Sequence, residues 1–151
     1  MIQNERQYKV TQTKLKELER ESASVELEDT NLHPRQILSQ KNSYNKIIGT
    51  LKQEIAEYEE LKSGRIAVFQ IQSFNELPTA LIKARIASGM TQKELAEKID
   101  TQEQQIQRYE ANHYHAISFE RLMKIVGALG ISFKHSVEIE IDLISLTSGL
   151  P

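Results

Sequence analysis

Between residues 90 and 110 the chain reads MTQKELAEKIDTQEQQIQRYE, and this stretch restricts the fold more than any other. It carries the signals of two consecutive helices. Thr91 suits an N-cap with Glu94 in the reciprocal position of a capping box, and Thr101 with Gln104 repeats the pattern for a second helix. Leu95, Ala96 and Ile99 in the first segment, with Ile106 and Tyr109 in the second, leave each helix one narrow face to bury. Helices this short and polar are unstable alone. The pair must therefore dock on other helices, leaving a glutamine-rich face in solvent.

The flanking sequence supplies that scaffold. In SFNELPTALIKARIASG, Ser73 is a cap with Glu76 as its partner, and Pro78 opens a helix carrying Leu81, Ile82 and Ile86 that Gly89 ends. After the loop HYHAI, Ser118 caps FERLMKIVGALG, whose Leu122, Ile125, Val126 and Leu129 form a buried stripe. Residues 73–132 are thus expected to form a five-helix domain within a mainly α chain.

Upstream, the polar MIQNERQYKV reads as a short arm, and Thr11 as the cap of a helix to about Glu28 with Leu15, Leu18 and Val25 on one face. DTNLHP breaks it, and Pro34 starts the next helix. His33 in this connector has no companion at metal-binding spacing, so no metal site is expected. In residues 35–62, Ile37, Tyr44, Leu51 and Tyr58 recur every seven residues with Ile48 and Ile55 between them. This coiled-coil stripe can pack on the preceding helix as a hairpin, or pair with a second copy of the chain. A hairpin whose exposed side dimerises through Tyr44, Ile48, Leu51, Ile55 and Tyr58 is the expectation. Residues 1–63 then form a helical hairpin for dimerisation or partner binding.

Ser63-Gly64 closes the long helix. Ile66 to Ile71 then switches to β-prone residues and predicts a short strand within a 64–72 linker. Its only candidate partner is FKHSVEIEI in the 133–151 tail, where Phe133, Val137, Ile139 and Ile141 alternate with polar residues. Pairing within the chain or across a dimer is open.

Composition sets limits on function. The 151-residue chain has no cysteine, which rules out disulfides and thiolate metal sites and fits a reducing cytoplasm. It has neither a signal-like start nor an apolar run of twenty, so no membrane association is expected. No glycine-rich phosphate loop, nucleophile–base pair or convergent carboxylate set is present, so neither catalysis nor a cofactor is expected. The net charge is −2, and residues 73–132 carry seven basic and seven acidic groups. Attraction to a polyanion must then come from a local patch, from helix N-termini or from doubling of the surface in a dimer.

The run LIKARIASGMTQKELAEKIDTQEQQIQRYEANHYHAISFERLMKIVGALGIS resembles the phage-repressor or XRE-type helix-turn-helix family. Lys83-Ala84-Arg85, Thr91-Gln92, Glu94-Leu95-Ala96, Ile106, Tyr109-Glu110, Leu122 and Ala128-Leu129-Gly130 carry the resemblance over about 60 residues. Asp100 stands where the family usually has a glycine, and Asn-His-Tyr-His replaces a basic, glycine-containing loop. The resemblance implies a DNA-binding transcriptional regulator of its own operon, a homodimer on double-stranded DNA. The alternative is an antitoxin that neutralises a cognate toxin protein. On this reading Gln102, Glu103, Gln104, Gln105, Gln107 and Arg108 face the bases, with Glu103 and Gln104 at the family's base-contacting positions. Glutamine can pair with adenine, arginine with guanine and glutamate with cytosine. Gln92 and Lys93 approach the backbone, with Lys83 and Arg85 as weaker candidates and His113 and His115 as further donors.

Overall fold

The computed structural model describes residues 1–28, 33–115 and 117–134, with side chains of 26–28 excepted. Among the described residues six α-helices follow in order: α1 Glu5–Glu28, α2 Pro34–Lys62, α3 Leu77–Ala87, α4 Gln92–Lys98, α5 Glu103–Ala111 and α6 Phe119–Ala128. One 3₁₀ turn, Phe74–Glu76, precedes α3. The predicted 73–132 domain is therefore four α-helices and a 3₁₀ turn rather than five helices.

The two long helices pack on each other as a hairpin. His33 caps α2: its Nδ1 accepts from the Arg35 amide, and the Gln36 side chain accepts from the His33 amide. Gly64 ends α2 at φ +68°, a conformation that costs an L side chain energy. α1 begins six residues before the expected Thr11 cap, so most of the polar arm is helical. Tyr8 explains why: its ring stacks on Tyr58 at 5.1 Å and its hydroxyl donates to Glu59, fixing the first turns against the end of α2.

Ile2 from the N-terminal segment and Tyr58 and Leu61 from α2 join one buried cluster with Leu81, Ile82, Ile86, Leu95, Ala96, Ile99, Ile106, Ile125 and Val126. The base of the hairpin is thus built into the core of the C-terminal helices. The heptad stripe faces α1: Tyr44, Ile48, Leu51 and Ile55 are half-buried, and Tyr58 is 5% exposed within one chain. Tyr58 therefore has no free surface for a dimer seam. Leu38 and Ile47 are the large apolar residues that α2 leaves exposed.

The predicted strand at Ile66–Ile71 is absent. Residues 65–71 run as irregular chain, with Ile66 and Phe69 packed on the core and Val68 exposed. Burial three residues apart breaks the alternation of a strand, and no strand occurs among the described residues to supply ladder bonds. Phe133 and Lys134 are likewise irregular; the rest of the second predicted strand lies outside the described residues.

Candidate nucleic-acid interface

The stretch from Thr91 to Ala111 forms two short helices joined by a tight turn. At its start, Thr91 Oγ1 accepts from the Glu94 amide at 3.1 Å, while Glu94 Oε2 accepts from the Thr91 amide at 2.7 Å. The bond from the Thr91 amide, then that from its hydroxyl, holds the Glu94 carboxyl below the ordinary carboxylate range. Leu95, Ala96 and Ile99 point into the core, and Asp100 takes φ +53° to reverse the chain. The aspartate thus adopts the left-handed geometry for which glycine is the usual residue.

The second cap differs from expectation. Gln102, not Thr101, is the N-cap of α5, and its side chain makes no capping bond. The Thr101 amide donates to Ala96 O at 2.9 Å, which draws Thr101 into the turn and starts the helix one residue later. Ile106 is fully buried and Tyr109 half-buried, so Gln104, Gln107, Arg108 and Ala111, at spacing i, i+3, i+4 and i+7, centre the outward face. Gln102 and Glu103 are exposed at its leading end, and Gln105 leans half-buried to one side. Glu103 Oε1 accepts from Gln107 Nε2 at 3.0 Å, which directs both side chains along one edge.

Beneath this face lies a polar cluster. Glu110 is fully buried and Arg85 has a side chain 3% exposed; Nε and Nη2 of Arg85 donate to Oε1 and Oε2 of Glu110 at 2.5 and 2.7 Å. Arg85 also donates to Met90 O at 2.9 Å and to Gln3 O at 2.7 Å. Gln92 Nε2 donates to Glu110 Oε2 at 2.7 Å, and Asn4 Nδ2 donates to Gln92 Oε1 at 3.1 Å. Gln3 Nε2 closes the set on Glu110 O at 3.1 Å. A buried fork-to-carboxylate pair with its other donors satisfied is the arrangement in which such charges persist inside a protein.

The cluster alters several sequence-based roles. Gln92 is 4% exposed, so its amide orders the interior instead of reaching a phosphate. Arg85 is committed to Glu110, and Lys83 to Glu57 of α2 at 2.6 Å. Lys93 is exposed and stands 4.0 Å from Glu97. His113 and His115 are exposed in the loop after α5, with His113 at φ +47°. Tyr114, which the sequence did not single out, follows at φ +57° and is buried; burial, then the charge of Glu110, raises its hydroxyl well above the usual phenol range. Gln3 and Asn4 were also missed, because two amides in a polar segment show no periodicity. Among the described residues no group of three histidines or carboxylates could hold a metal, and no helix is long and apolar enough to cross a membrane.

A helix-turn-helix family model matches residues 81–135, which begin within α3 and include α4, α5 and α6. This segment matches a helix-turn-helix domain of the XRE or phage-repressor type, a DNA-binding architecture, and α5 occupies the place of the second helix of the pair. No curated protein and no solved structure matches the chain.

Proposed function

We propose that the chain is a sequence-specific DNA-binding transcriptional regulator that acts in the cytoplasm as a homodimer and represses its own operon, by binding and without catalysis. The observation that carries this reading is the outward face of α5, where Gln104, Gln107 and Arg108 stand together on a helix locked from below by Ile106 and Glu110. Two amides and a guanidinium on one face can read base edges in a major groove. A neutral domain binds phosphates weakly, and pairing two copies on half-sites about one helical turn (~34 Å) apart makes up the affinity. Tyr44, Ile48, Leu51 and Ile55 keep part of their surface for such a dimer.

Binding to DNA from upstream of the chain's own coding sequence, titrated against salt, tests this. Changing Gln104 and Arg108 to alanine should abolish preference over scrambled DNA; preference left intact would exclude α5 as the reader. A second reading has one observation behind it: among the described residues, the distal hairpin beyond Tyr8 and Ile55 adds nothing to the buried core. A surface without a core duty suits a protein partner, and an antitoxin that wraps a toxin would use it. Capture of a single small protein by the hairpin, with DNA binding absent, would favour that reading.

A further inference from the structure

The reading unit has few free cations. Arg85 and Lys83 are spent on Glu110 and Glu57, and Lys93 faces Glu97. Across from α5, however, run the first turns of α1, and an open groove of about 830 Å³ separates the two helices. Arg6, Gln7 and Val10 line one wall, and Thr91, Glu103 and Gln107 the other. Glu103 stands at the leading end of the outward face of α5 and Gln107 within it, so the groove opens onto the face proposed to read DNA.

The α1 wall is fixed. Gln3 and Asn4, directly before the helix, are tied to Glu110, Arg85 and Gln92, and moving them would unpair buried polar groups. Of the cations that line the groove, Arg85 is bound to Glu110, and Lys62 stands 3.3 Å from Glu5. Arg6 is exposed, and its side chain makes no ion pair or hydrogen bond among the described residues.

We infer that Arg6 is a DNA-backbone contact, so that the N-terminal extension is part of the DNA interface and not only a dimerisation or partner arm. A duplex that receives α5 in its major groove runs a phosphate strand along each flank of that helix. On the α1 side the strand meets a free guanidinium, which binds phosphate through two parallel N–H bonds. The inference rests on α5 being the reading helix.

The test is the salt dependence of full-chain binding to two duplexes, the upstream DNA and a scrambled version, for wild type, Arg6→Ala, Arg6→Lys and Lys16→Ala. Lys16 is exposed on α1 and does not line the groove. Arg6→Ala should weaken binding about tenfold on both duplexes alike and lower the salt slope by about one per chain. Arg6→Lys should recover the slope, and Lys16→Ala should match wild type. Thermal melts check that the variants fold. An unchanged slope for Arg6→Ala, or tighter binding, would overturn the inference while leaving the α5 reading intact. If wild type bound neither duplex, both would fall together.

Discussion

Replacing Glu110 by alanine is the most informative perturbation of the fold. It deletes the acceptor for Arg85 Nε at 2.5 Å, Arg85 Nη2 at 2.7 Å and Gln92 Nε2 at 2.7 Å, at a residue that is fully buried. Arg85 would keep only the carbonyls of Met90 and Gln3, with a side chain 3% exposed and a full charge. Stranding one member of a buried pair costs about 3–5 kcal/mol. For a chain of this size that is a fall in melting temperature of roughly 6–20 °C. Removing both charges with Arg85→Met and Glu110→Leu should cost well under the sum of the single changes, with a coupling of about 2 kcal/mol or more. Urea unfolding of the two single variants and the double variant, followed by circular dichroism, completes the cycle. A loss below about 1 kcal/mol for Glu110→Ala, the scale of an exposed pair, would refute the reasoning. Additive single changes would refute it equally.

Two further outcomes follow from the turn and its cap. Asp100 holds φ +53° in an exposed turn, so Asp100→Gly should raise stability by about 0.5–1 kcal/mol in a thermal melt; a loss would mean that the aspartate side chain stabilises the turn. Glu94 has its folded-state carboxyl below the ordinary value, so its stabilisation is present above that value and is lost as pH falls through the folded one. Wild type should therefore outlast Glu94→Gln in melts near neutrality, and the gap should close in acid. A gap that persists at about pH 3 would assign the effect to something other than the charge.

The helices were legible because their signals are local. Thr91 with Glu94, Ser118 before its stripe and Pro34 after the break each act within one turn of chain, and the structure has all three. The errors came where partners are distant in sequence. Arg85 and Glu110 lie 25 residues apart, and each reads alone as a solvated charge; only the fold brings them together with Gln92 and the N-terminal amides. That pairing is why a glutamine expected at the DNA backbone proved to be interior. Ile66 to Ile71 has the residues of a strand but no partner edge among the described residues, and Ile66 and Phe69 pack on the core instead. On α5 the outward face was readable from Ile106 and Tyr109 alone, although the cap moved by one residue and turned Gln105 partly inward.

The most direct test of the central claim is selection of preferred sequences from a random DNA pool by the wild-type chain and by Gln104→Ala. If α5 reads DNA as a two-fold pair, wild type will enrich two half-sites about one helical turn apart. The variant will then lose discrimination at one position in each half-site and keep it elsewhere. Enrichment of no sequence by wild type, or of the same sequence by both proteins, would contradict the account.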